Sequence, residues 1–173
     1  MAGLYLKGPW AFSAFYVGFV IIPILEQLLP KSTANLGEEE EIRQSNRRLF
    51  DFLLYANVPV LYGLLFYYFR TLAQGDLAGY EIAGLTLSMG IVTGSIGINV
   101  GHELGHRGAR HEQWMAQMLL LPALYMHFTI EHNRGHHKNV GTDLDPASAR
   151  QGQTVYAFWI QSVIGGYLNA WRL

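Results

Sequence analysis

Residues 52–69 read FLLYANVPVLYGLLFYYF, eighteen positions without one formal charge. At about 1.5 Å per helical residue such a run is roughly 27 Å long, close to the thickness of a bilayer's hydrocarbon core. A soluble helix of that length shows a polar face every three or four residues, and Val58 to Phe69 shows none. Two further stretches behave alike: Pro9 to Pro30 carries only Glu26, and Ile82 to Gly101 carries no charge. The reading is an all-α, polytopic transmembrane helical bundle with spans near 9–30, 50–70 and 80–101. Trp10, Tyr67, Tyr68 and Tyr80 fall near span ends, where aromatic belts form.

Composition agrees. Half of the 173 residues are apolar and only 14% are charged, against roughly 25% in an ordinary soluble domain. Mean hydropathy is a mild +0.13 because the average mixes apolar spans with charged connections. A net charge of −1 offers no footprint for nucleic acid. The absence of cysteine excludes a disulfide framework, thiolate metal sites and a cysteine nucleophile, so a metal must sit on His, Asp or Glu. One domain, 1–173, is expected.

Orientation follows from the basic residues. Lys31, Arg43, Arg47 and Arg48 lie between the first and second spans, whereas only Arg70 lies between the second and third. The former connection is therefore expected in the cytoplasm, which also places the chain after Gly101 there. The acidic run Glu38 to Glu41 reads as a solvated helix start. Residues 113–130, uncharged but interrupted by Pro122, separate two histidine clusters; for these to cooperate on one side, the stretch must be interfacial or re-entrant. Residues 152–171 are uncharged but carry Gln153, Gln161, Asn169 and the pair Gly165–Gly166, and their placement is left open.

All seven histidines lie between positions 102 and 137. The first cluster is Asn99-Val100-Gly101-His102-Glu103-Leu104-Gly105-His106, in which His102 and His106, four apart, share a helix face and can reach one metal. The second, Glu131-His132-Asn133-Arg134-Gly135-His136-His137, repeats that spacing and adds His137. Neighbours on an α-helix diverge by about 100°. His136 and His137 thus serve two metals, or Gly135 distorts the helix. His111 and His127 read as ordinary exposed or hydrogen-bonded histidines. Imidazole suits zinc, copper, iron and nickel alike. HELGH is also H-E-x-x-H, the pattern of a zinc metalloprotease with Glu103 as base. Such an enzyme needs one more ligand and leaves two of His132, His136 and His137 idle, whereas a binuclear centre uses all five.

NVGHELGHR at 99–107 and EHNRGHHKNVGTDLDPASAR at 131–150 closely resemble the first two histidine motifs of bacterial membrane alkane hydroxylases, within the membrane fatty acid desaturase and hydroxylase superfamily. The resemblance implies a non-haem di-iron monooxygenase that uses O₂ to hydroxylate the terminal methyl of alkanes. Its electrons come from rubredoxin and an NADH-dependent rubredoxin reductase. It further implies the bacterial inner membrane, with His102, His106, His132, His136 and His137 as iron ligands. Glu103, Glu131, Asp143 and Asp145 stand where carboxylates orient ligand imidazoles, and Arg134 and Lys138 where an acidic electron donor docks.

An alkane offers only apolar burial, about 0.8 kcal/mol per CH₂, and a slot between spans supplies it. Gly90, Gly94 and Gly97 are spaced for close helix approach or for a channel. Fatty acid desaturases and alkylbenzene hydroxylases share this ligand chemistry, and a non-catalytic metal-binding membrane protein is the remaining alternative. No histidine follows His137, so the family's third histidine motif is missing. The expectation is the front portion of a longer enzyme, unable to catalyse alone.

Overall fold

The computed structural model describes residues 2–30, 35, 37, 40 and 48–173. Among the described residues every regular element is helical. The acidic run, Glu40 apart, and Lys31, Arg43 and Arg47 lie outside them. Three helices are long and apolar enough to cross a membrane: α1, Gly8–Leu28; α2, Arg48–Ala73; and α3, Gly79–His106. In the most apolar window of each, 6%, 11% and 33% of residues are buried, so α1 and α2 turn nearly their whole apolar surface outward. In water that exposure costs about 25 cal/mol per Å². In a bilayer it costs nothing, and this is why eighteen-residue uncharged runs fold this way. The protein is an integral membrane protein.

The chain divides into two compact units, 1–100 and 101–173, with the boundary inside α3. In the first unit the start of α1 is fastened to α3. Glu81 accepts from the backbone N–H of Ala78, capping α3, and from that of Gly8, at 2.8 and 2.5 Å. Buried Ser88 donates to the Ala11 carbonyl at 2.7 Å. Between these bonds lies Gly84, where a Cβ would sit 2.7 Å from the Phe12 ring and 2.9 Å from the Ala11 Cβ. A close helix approach is therefore made at Gly84, and Gly97 is buried. At Gly90 and Gly94 a Cβ would meet no described atom within 4 Å. Tyr68, expected in an interfacial belt, is buried instead, its hydroxyl 2.8 Å from Thr86 Oγ1. Ala14, Val17, Gly18, Ile22, Ile91 and Ser95 line an open apolar groove of about 380 Å³.

The second unit holds both histidine clusters. After the end of α3 come α4, Arg110–Leu120, then α5 at residues 128–139, and α6, Val155–Ala170. Pro122 opens a 3₁₀ turn, Leu121–Ala123, that ends on Leu124 in the left-handed region (φ 53°), so α4 stops after 11 residues. Leu104, Ala116, Leu119 and Leu120 are fully buried. Gly101 faces Leu120, a Cβ there lying 3.0 Å from the Leu120 Cγ.

Overpacking a tight helix contact costs about 1–3 kcal/mol. Gly84→Leu is expected to lower unfolding stability in detergent by that amount. Gly90→Leu, which meets open space, should change it by less than about 0.5 kcal/mol. Equal effects would contradict the packing described.

Candidate metal centre

His102 and His106 lie in the last two turns of α3, on the α-helical segment Asn99–His106. The Gly105 carbonyl near the end of that segment accepts from Asn133 Nδ2 at 2.9 Å and from Gln113 Nε2 at 3.0 Å. Asn133, beside His132, thereby pins the second motif to the end of the first.

The second motif is not α-helical at its centre. Glu131–His136 forms a π-helical turn, in which residues five apart meet. His132 consequently pairs with His137, their Nε2 atoms 3.0 Å apart, and not with His136 as the four-residue spacing predicts. His136 lies instead with its ring stacked on that of His132, centroids 5.2 Å apart. Gly135 leaves room beside the turn for the Asn169 and Glu131 side chains, whose Nδ2 and Oε1 lie 2.7 Å from where a Cβ would sit.

Three imidazole nitrogens converge, and a fourth adjoins one of them. His132 Nε2 lies 2.7 Å from that of His102, 3.1 Å from that of His106 and 3.0 Å from that of His137, while His102 and His106 are 2.9 Å apart. The ligand atoms of His102, His106 and His132 all fall within 4.8 Å of one another. An imidazole nitrogen has a single in-plane valence, either a proton or a lone pair. Three such atoms facing one point cannot satisfy each other by hydrogen bonding; a shared cation satisfies all of them. Two nitrogens each about 2.1 Å from a metal and at right angles around it stand about 3.0 Å apart. The donor set fits a metal ion. Burial, then the imidazoles of His102, His137, His106 and His136, push the His132 pKa down to about 4, so this ring is held in the neutral form that ligation requires.

Asp145 is fully buried. Its Oδ2 accepts from His136 Nδ1 at 2.9 Å and from Ser148 Oγ at 2.5 Å, and its Oδ1 from the Ala147 N–H at 2.9 Å. Burial acts to raise its pKa, but these bonds from Ser148, Ala147 and His136 outweigh it and hold the carboxyl below its usual range. A proton fixed on His136 Nδ1 leaves Nε2 as the lone-pair nitrogen, the arrangement by which a carboxylate orients a metal-binding imidazole.

The other three carboxylates stand elsewhere. Exposed Glu103 pairs with Arg107 at 3.5 Å. Glu131 is buried and accepts from Asn169 Nδ2 at 3.2 Å. Asp143 is exposed and pairs with Arg150. Of the remaining histidines, His111 is exposed and His127 packs between Tyr125 and Tyr167. Sequence reasoning missed the residues that hold the Asp145 turn: Ser148, Gln161 and Gly165. The available signal was the row Gln161, Gly165, Asn169, four apart and so on one stripe of α6.

A membrane-embedded helical chain with a convergent histidine cluster defines the class. Residues 78–173 match the fatty acid desaturase family, and the chain belongs to that family, whose members are known to use iron. It is 35% identical to the alkane 1-monooxygenase of Ectopseudomonas oleovorans over 178 residues, covering 100% of this chain and 44% of the relative. It is 39% identical to alkane 1-monooxygenase 1 of Pseudomonas aeruginosa over 171 residues, 95% of this chain and 44% of the relative. The xylene/toluene monooxygenase hydroxylase component of Pseudomonas putida is 27% identical over 176 residues, 100% of this chain and 46% of the relative. The chain thus spans a little under half the length of these relatives.

Removing an outer partner of a ligand histidine typically costs about 10–100-fold in metal affinity. Asp145→Asn is expected to weaken iron binding by that factor in a chelator-competition titration, and Asp143→Asn to leave it within about twofold. Equal losses, or none, would contradict the placement of Asp145.

Proposed function

We propose that this chain carries the first two histidine motifs of a non-haem di-iron monooxygenase that hydroxylates the terminal methyl of alkanes. O₂ is the co-substrate, and electrons come from rubredoxin, itself reduced by an NADH-dependent reductase. His102, His106, His132, His136 and His137 are the iron ligands this chain contributes. The observation that carries the reading is the convergence of the His102, His106 and His132 nitrogens with His137 adjoining, in a chain that resembles alkane 1-monooxygenases along nearly its whole length.

Bound iron would supply O₂ activation and accept the donor's electrons. The chain's own residues do the rest. Burial keeps the His132 imidazole neutral and available as a ligand. Asp145 holds the His136 proton on Nδ1, so that Nε2 is the nitrogen that would be left with a lone pair for a metal. The apolar helices supply a setting in which an alkane binds by burial alone. Arg134 and Lys138, both exposed on α5, present positive charge to an acidic electron donor. The basic connection before α2 argues for the inner membrane with the histidine motifs on the cytoplasmic side. In the protease reading Glu103 would need to serve as base at the metal, whereas its carboxylate pairs with Arg107 on the exposed side.

The test is an alkane hydroxylation assay on the full-length membrane protein with rubredoxin, its reductase and NADH. Primary alcohol is expected, and none with His132→Ala; Glu103→Gln should retain activity within about tenfold, far from the loss expected of a general base. Desaturated acyl chains or cleaved peptides in place of alcohol would overturn the assignment.

A further inference from the structure

We propose that Gln161 is a positioning residue for the His136 ligand, acting through the turn 145–148; this rests on the ligand assignment made above. The turn is closed by the Ser148 N–H on the Asp145 carbonyl at 3.2 Å, with Pro146 in the position that its fixed φ suits. Two of its carbonyls, of Pro146 and Ser148, share one donor group. Gln161 Nε2 reaches both at 3.0 Å, so the two protons of the carboxamide are spent on the two ends of one turn. The amide cannot flip, because its oxygen accepts from Gln153 Nε2 at 2.9 Å. One helical turn further along α6, Gly165 lies under Pro146, where a Cβ would come within 2.7 Å of the Pro146 Cβ. Helix α6 therefore grips the turn by a hydrogen-bonded clamp at 161 and by a close contact at 165.

What the clamp fixes is the Asp145 carboxylate. Ser148 Oγ donates to Asp145 Oδ2 at 2.5 Å and accepts from the Gly141 N–H at 2.8 Å. The same Oδ2 accepts the hydrogen bond from His136 Nδ1–H at 2.9 Å. A shift of the turn by about 1 Å would carry that bond beyond hydrogen-bonding range. The His136 proton would then be free to move to Nε2, the nitrogen needed for the metal. Gln161 touches neither imidazole nor metal. It selects which His136 nitrogen carries the proton.

The test uses the full-length protein in detergent and compares Gln161→Glu, His136→Ala and the double variant. Gln161→Glu keeps the shape and removes both donors; Gln161→Met, uncharged and without donors, gives the same reading should the added charge impair folding. Iron affinity, by chelator competition, is expected to fall about tenfold in either Gln161 variant. In the metal-free protein, the ¹⁵N spectrum of His136 should change from one Nδ1–H tautomer to a mixture. In the His136→Ala background, Gln161→Glu should cause no further loss. Additive losses, or a His136 tautomer unchanged by the substitutions, would overturn the proposal. Wild-type iron binding by His136→Ala alone would overturn the ligand assignment, and this proposal with it, so the two failures are distinct.

Discussion

Three imidazole nitrogens within about 3 Å of one another, with a fourth 3.0 Å from one of them, are an unfavourable arrangement for a protein on its own. Each has one in-plane valence, protonating any of them brings positive charge against the rest, and burial makes that charge costlier still. The His132 ring, at the hub of the contacts, is driven to a low pKa by burial first and by the neighbouring imidazoles second. A cation at the point of convergence would instead be met by the lone pairs of these neutral rings. Much of the second unit is explained as the means of holding this arrangement: the Gly105 carbonyl that ties Asn133 to α3, the π-turn that swings His137 onto His132, and the buried Asp145 behind His136.

The membrane spans were legible in the sequence because a bilayer imposes a length and forbids charge, and both can be counted. That His102, His106 and His132 gather was legible for a related reason, since imidazoles repeated in two short motifs serve little besides a metal. The pairing within the second motif was not. Four-residue spacing implies a shared face only on an α-helix, and the π-turn at Glu131–His136 substitutes a five-residue partnership. Distortion of the helix at Gly135 was one of the two readings the sequence left open, and Asn169 and Glu131 pack against that glycine.

The carboxylates show a second limit. Glu103, Glu131, Asp143 and Asp145 are equivalent as letters near a histidine. Burial and turn geometry separate them, leaving Asp145 on an imidazole and Asp143 in solvent. The selection is made by α6, more than ten residues further along the chain, through Gln161 and Gly165. A motif read locally cannot contain that information, whereas the stripe of polar and small residues on α6 does once its partner turn is known.

X-ray absorption at the iron edge of the loaded full-length protein reads the nature of the ligands directly. The expected spectrum has nitrogen scatterers at about 2.1 Å with the outer-ring scattering of imidazole, and that outer scattering weakens in His132→Ala. A shell of oxygen ligands that His132→Ala leaves unchanged would contradict the histidine cluster as the metal centre.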